Sequence, residues 1–364
     1  MHLSLSLSAY LGRNFLIGIG FVFGVFVSLV FLIDMIELLR RASGEDDTSF
    51  AIVVQMAFLK LPGLAQKLLP FAALFGGIWT FSRLTRTNEL IVTRAAGVSV
   101  WQFLTPALII AGLIGVFVVT VFNPLASAMV SRYEHLESRY LEDQPSMLAF
   151  SSSGLWLRQA DDEGQSVVHA FSISAEGMEL RDVIVFLYHG SDEFAGRIDA
   201  ATARLENGYW QMTDALLTRP DQLAEHHDEY RLPTSLTLGQ IQDSFASPET
   251  LSFWSLPGFI EMLEAAGFSG LRHKLHWHAV LSTPLLLCAM VLLAATFSLR
   301  MTRRGGTGML IALGVLTGFL LYFVSDVIFA LGMAGSIPVV LAAWTPTGVC
   351  TLLGLAMLFH LEDG

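Results

Sequence analysis

A six-span membrane-helical protein with an inserted all-β domain is the fold class this sequence predicts, and three observations predict it. Apolar residues make up 53% of the 364, and charged residues only 15%, against roughly a quarter in soluble domains. Six stretches are long and apolar enough to cross a bilayer. The charge is also segregated: residues 124–270 hold 23 of the 32 acidic and 8 of the 21 basic groups, a net −15, while the flanks carry +4. A disordered chain is excluded, and the composition argues against an ordinary soluble enzyme. The predicted division is a membrane domain over 1–123, a polar domain over 124–270 and a second membrane part over 271–364.

At 1.5 Å per residue, a bilayer core of about 30 Å needs roughly 20 apolar helical residues. The runs that qualify are Phe15–Ile36, Pro62–Phe81, Val100–Phe122, His278–Leu299, Met309–Ala330 and Ile337–Phe359. The second reads as the inner part of a helix starting near Ala51 and kinked at Pro62 and Pro70, which neighbouring helices can tolerate. The first run is too long for a signal-peptide core of roughly 7–15 residues, and no small-residue cleavage pattern follows it. Cys288 and Cys350 both sit inside apolar runs, which excludes a disulfide framework.

Sidedness follows from the short loops. One side carries Arg13, then Arg83, Arg86 and Arg94 against Glu89, then Arg300, Arg303 and Arg304. Seven arginines make that side cytoplasmic under the positive-inside bias, with both termini inside and 124–270 outside. Arg40 and Arg41, beside Glu45, Asp46 and Asp47, violate the bias.

Between about Leu148 and Ser247 short alternating segments read as strands: Gly154–Leu157, Val183–Tyr188, Arg197–Leu205 and Tyr209–Leu217. Asn207-Gly208 between the last two supplies the positive-φ turn of a hairpin. The pattern suggests a sandwich or roll. Glu225-His226-His227-Asp228-Glu229 reads as a solvated loop, because five adjacent side chains cannot converge on one ion. Leu256–Gly267 reads as an amphipathic helix with Ser255 as N-cap, Pro257 in the first turn and Gly267 as its stop.

Chemical motifs are missing. The chain has no G-x-x-x-x-G-K-[ST], no G-x-S-x-G and no H-E-x-x-H, so it shows no nucleotide site, nucleophile elbow, catalytic residue, cofactor or metal site. His273, His276 and His278 with Lys274 read as an interfacial anchor or headgroup contact.

The loop Arg83–Ser99 predicts a three-to-four-turn helix along the inner face, over about 83–97 and ended by Gly97. Leu84, Ile91 and Ala95 share one stripe, and Thr85 and Glu89 another. It is either a basic connector or a coupling helix seated in a groove of a cytoplasmic ATPase, with Glu89 meeting a basic residue there.

Several separated motifs carry a family resemblance. Leu61-Pro62, Leu69-Pro70-Phe71-Ala72-Ala73-Leu74-Phe75-Gly76-Gly77, Asn88-Glu89-Leu90 and Ala96-Gly97-Val98-Ser99 resemble the lipopolysaccharide-export permeases, the LptF/LptG family. Arg197-Ile198-Asp199-Ala200, Asn207-Gly208-Tyr209-Trp210 and Gly314–Phe323 fit the same pattern in order and spacing. The C-terminal third is more similar to the G than to the F paralogue. His273–His278 departs from the pattern.

The resemblance implies a jellyroll-like periplasmic domain and no enzyme activity in this chain. Its implied partners are an LptF-like paralogous permease, an LptB-like cytoplasmic ATPase dimer, an LptC-like bitopic jellyroll protein, an LptA-like bridge protein and lipopolysaccharide, with no nucleic acid. It implies ATPase coupling through Arg86, Asn88, Glu89, Leu90 and Gly97. Extraction of a phosphorylated lipid needs apolar walls and cations. Arg40, Arg41, Lys60, Lys67 and, more weakly, Arg132 are the candidate phosphate ligands; Arg139 is a weak further candidate. The alternative is that these cations snorkel or pair with Asp34 and Glu37. Gly20-x-x-x-Gly24 and Gly314-x-x-x-Gly318 allow close helix approach, and the family places their spans at lateral gates. Asp326 is either interfacial or a partner for a gate cation. The rival functions are a force-transmitting subunit of an ATPase-driven envelope regulator, a membrane-embedded lipid enzyme and a scaffold.

Overall fold

The computed structural model describes residues 5–43, 49–141, 155–160, 165–174, 179–189, 193–206, 208–220, 222–234, 247–265, 270–299 and 307–362. Arg300, Arg303, Arg304, Glu45, Asp46, Asp47, Gly154, Asn207 and Gly267 lie outside these.

In chain order the helices are α1 (Leu5–Ala42), α2 (Phe50–Arg86), α3 (Glu89–Ala95) and α4 (Val100–Phe117). A π-helical turn (Val118–Phe122) follows, then α5 (Asn123–Tyr140). Six strands come next: β1 (Leu155–Ala160), β2 (Gln165–Ser174), β3 (Glu179–His189), β4 (Glu193–Glu206), β5 (Tyr209–Thr218) and β6 (Glu225–Pro233). A 3₁₀ turn (Pro248–Thr250) leads to α6 (Leu256–Ala265), α7 (Leu271–Leu299), α8 (Thr307–Met333) and α9 (Val339–Glu362). Among the described residues six helices are long and apolar enough to cross a membrane.

The chain divides into two compact units. One comprises Met1–Glu134, Pro248–Pro257 and Leu271–Gly364, and the other His135–Ser247 and Gly258–Gly270. Residues 124–134 and 248–257, grouped with the polar domain by sequence, therefore belong to the helical unit.

The first three spans are the long ones. At 1.5 Å per residue, the 38 residues of α1 extend about 57 Å and the 37 of α2 about 55 Å, well beyond a core of about 30 Å. Glycines let helices approach closely: a Cβ on Gly76 of α2 would lie 2.7 Å from Ile19 Cα of α1, and one on Gly115 of α4 would overlap Pro284 of α7. Pro62 and Pro70 stay within a continuous α2. Phe15, Leu74, Leu104, Ala111 and Val291 form the fully covered centre of this unit.

The second unit is one six-stranded antiparallel sheet in sequence order. Its apolar face gathers Leu157, Val185, Ile198, Trp210 and Met212. The buried Gln159 amide joins the first strand to the end of the last. Its Nε2 donates to Pro233 O at 2.9 Å, while its Oε1 accepts from Thr234 Oγ1 at 2.6 Å and Trp210 Nε1 at 3.4 Å. The sheet is thus rolled, with its two edges meeting there.

A crease crosses five strands. Pairing skips Phe171–Asp182, Asp182–Ala201, Ala201–Asp214 and Asp214–Asp228 while the register on either side is unchanged. Asp182 (φ 52°) and Asp214 (φ 53°) adopt left-handed backbone there, a conformation that short polar Asp tolerates better than most residues. Glu225–Glu229, expected as a loop, is instead most of edge strand β6. Its charged side chains suit an edge, since they discourage pairing with another chain.

Candidate functional site

Two places in the helical unit gather the residues singled out by sequence. The first is the connection between α2 and α4. The sequence predicted one helix over 83–97, but the structure breaks it: α2 runs to Arg86, Asn88 turns left-handed at φ 59°, and α3 spans only seven residues. Asn readily adopts this backbone, and its carbonyl accepts the Val92 N–H at 3.1 Å, starting α3. Gly97, at φ 83°, ends the segment, with Val98 N–H donating back to Thr93 O at 3.2 Å, a Schellman-type closure. Ser99 and Gln102 then cap α4 reciprocally.

Leu90 is 5% exposed and joins Leu84 in the core, whereas Ala95 is exposed. Leu84 and Leu90 therefore anchor the segment and Ala95 does not, while the Ile91 side chain lies outside those described. Arg86 and Asn88 are exposed, and Val92 is 65% exposed. Glu89 is half-buried at the first position of α3, where a negative charge complements the helix dipole, and accepts from Thr87 Oγ1 at 2.8 Å. Among its described side chains the segment presents the Glu89 carboxylate and the bare apolar Val92 on a short helix bracketed by Asn88 and Gly97.

The second place lies where α1, α2 and α5 meet. Lys60 Nζ bonds Asp34 Oδ1 at 2.6 Å and sits 5.2 Å from the centroid of the Tyr133 ring, within cation–π range. Arg40 forks onto Glu37 at 2.7 and 2.9 Å, and Lys67 bonds Glu249 Oε1 at 2.9 Å. Asp34, one alternative partner for the arginines, pairs with Lys60. Arg41 follows Arg40 on exposed helix, and Arg132 is exposed on α5 without an ion pair among the described residues. Arg40 and Arg41 top an open apolar face of α1 formed by Phe21, Val25, Leu29, Leu32, Ile33 and Ile36, each about half exposed or more.

The two glycine pairs differ. A Cβ on Gly20 or Gly24 would meet nothing within 4 Å, so their face is open. One on Gly314 would lie 2.8 Å from Ile78 Cδ1, and one on Gly318 3.3 Å from Phe71. The second pair therefore seats α8 on α2 within this chain. Asp326 is exposed on α8.

The sequence offered Asp34 as a candidate partner for the cations as a set without assigning it to Lys60, and it gave no sign of Glu249, Tyr133 or Asn123. An acid inside the run Phe15–Ile36 was the signal for the first; nothing local pointed to the others. Within the histidine segment His273 is buried, and Trp277 stacks on Phe253 at 5.8 Å. No group of three or more His, Cys, Asp or Glu among the described residues is placed to hold a metal.

Six helices long and apolar enough to cross a membrane, among the described residues, and an inserted antiparallel β-unit define a polytopic membrane protein. Comparison with known proteins makes the class specific. The family model for the lipopolysaccharide export system permease LptF/LptG matches residues 9–360, and the chain belongs to that family. It is 23% identical to the lipopolysaccharide export system permease protein LptG of Escherichia coli (strain K12), over 97% of this chain and 98% of that protein. It is 21% identical to the LptG of Haemophilus influenzae, over 98% of both.

Proposed function

We propose that this permease subunit draws lipopolysaccharide out of the inner membrane with power supplied by a separate, LptB-like cytoplasmic ATPase, and passes it to a periplasmic bridge. The observation that carries this reading is the open apolar face of α1 running up to Arg40 and Arg41. Such a surface matches an amphiphile: each methylene kept from water is worth about 0.8 kcal/mol, and phosphates pair with the arginines. Arg41, Lys60, Lys67 and Arg132 extend the cationic set. An LptF-like permease meets the open Gly20/Gly24 face of α1, and α8 lines the second gate. LptC-like and LptA-like jellyroll proteins receive the lipid. Both termini and α3 are cytoplasmic, the β-unit is periplasmic, and α3 seats in the ATPase through Glu89 and its apolar neighbours.

The test is charge reversal at Arg40 and Arg41 in the purified complex, with bound lipopolysaccharide measured by mass spectrometry. Lost lipid with intact subunit assembly supports the reading, and unchanged lipid overturns it. A force-transmitting regulator would purify without stoichiometric lipid in either case.

A further inference from the structure

Three cations of this region already hold an acid of the same chain, and the three pairs are not equivalent. Arg40–Glu37 has side-chain exposures of 73% and 47%, and Lys67–Glu249 of 63% and 44%. Solvent weakens the attraction in pairs this open. Lys60–Asp34 is different, at 29% and 11%, and there the charges act on one another with less screening.

The pair is also under-satisfied. Asp34 offers two oxygens, but only Oδ1 receives Lys60; Oδ2 is buried with no hydrogen-bond partner among the described residues. The ammonium has three donors, one of them spent on Asp34, and the Tyr133 ring holds it in place without neutralising it. Lys60 and Asp34 come from different helices, 26 residues apart, so the contact can open without unwinding either helix.

We infer that Asp34 is a positioning residue for transport: it competes with the phosphate of the lipid for Lys60, and so sets how readily the lipid is released. The inference rests on the lipid-phosphate reading of Lys60 given above. A phosphate offers more acceptor oxygens and more charge than a carboxylate, so it can displace Asp34. The freed carboxylate then lies beside the bound phosphate as a like charge and shortens its stay. An unopposed lysine would hold phosphorylated lipid more tightly than a carrier can use. A purely structural tie between α1 and α2 would make no such opposition of binding and release.

The experiment uses the complete membrane complex in nanodiscs, with labelled lipopolysaccharide bearing a phosphorylated lipid A as probe and retention and ATP-dependent release measured separately. D34N should lengthen retention by roughly three- to tenfold and slow release. K60Q should shorten retention, D34N/K60Q should follow K60Q, and D34E should behave as the parent. Should D34N fail to assemble, D34S removes the same charge and carries the same test. If K60Q leaves retention unchanged, the phosphate reading of Lys60 fails. If K60Q weakens retention but D34N weakens it too or leaves it alone, the competition fails by itself. Dephosphorylated lipopolysaccharide should be indifferent to D34N, and a response would overturn the proposal. So would displacement of the labelled lipid by millimolar inorganic phosphate, which would place a free anion rather than a headgroup at Lys60.

Discussion

The backbone N–H of Phe253 donates to Asn123 Oδ1 at 2.8 Å, across 130 residues of sequence. Asn123 stands immediately after the π-helical turn of the third span, and two further bonds lie beside it. Trp254 Nε1 donates to Thr120 O at 3.2 Å, inside that turn, and Ser127 Oγ to Leu251 O at 3.0 Å. A π-turn leaves carbonyls off the regular ladder and tends to occur at functional positions. Here the stretch Leu251–Trp254 takes up one of them and is pinned to the third span.

Asn123 is 4% exposed, so Asn123→Ala leaves a buried amide without its acceptor. Loss of such a bond costs about 1–3 kcal/mol. Thermal unfolding of the detergent-solubilised protein should show a lowered midpoint. A midpoint equal to that of the parent would mean that the strap is held by its aromatic contacts alone.

The glycines should divide by location. Gly76→Leu drives a side chain into the α1 backbone at Ile19 and should destabilise the protein by about 1–3 kcal/mol or more. Gly20→Leu and Gly24→Leu enter open space and should leave the unfolding of the isolated chain unchanged, while weakening co-purification of a second permease subunit. Equal destabilisation at all three positions would contradict the open face on α1.

Glu249 should make stability pH-dependent. Burial pushes its pKa up, but the hydrogen bond and charge of Lys67, with the nearby His276 and Arg272, outweigh burial and hold it below the ordinary 4.5. A depressed folded-state pKa stabilises above the unfolded value, and the gain is lost as pH falls through the folded one. The unfolding midpoints of the parent and Glu249→Gln should differ near pH 7 and converge as pH falls below the depressed folded-state pKa. A difference that persists in acid would assign the effect to packing.

The spans are legible in the sequence because an unbroken apolar run of about twenty residues matches the thickness of a bilayer core and exceeds what most buried soluble helices need. The crease in the β-unit is written there too, in a subtler form. Leu180-Arg181-Asp182-Val183 and Met212-Thr213-Asp214-Ala215 each place two polar residues between buried ones. A strict period of two thus slips by one at the same level in neighbouring strands. The ion pairs are less legible. Lys60 finds Asp34 across 26 residues and Lys67 finds Glu249 across 182, separations at which spacing along the chain carries no information. Arg40–Glu37, one helical turn apart, could be anticipated. The continuous helix expected over 83–97 fails at Asn88, whose preference for left-handed backbone outweighs the helical periodicity around it.

On the function proposed above, power from a separate ATPase enters this chain through α3. The most direct measurement is lipopolysaccharide released per ATP hydrolysed by the reconstituted complex carrying Glu89→Arg. The Thr87–Glu89 contact is exposed, so the fold should survive the change. Release should fall by at least about tenfold, the scale of a disrupted interfacial charge pair, while lipid remains bound at Arg40 and Lys60. Release per ATP at the parental level would show that force enters elsewhere.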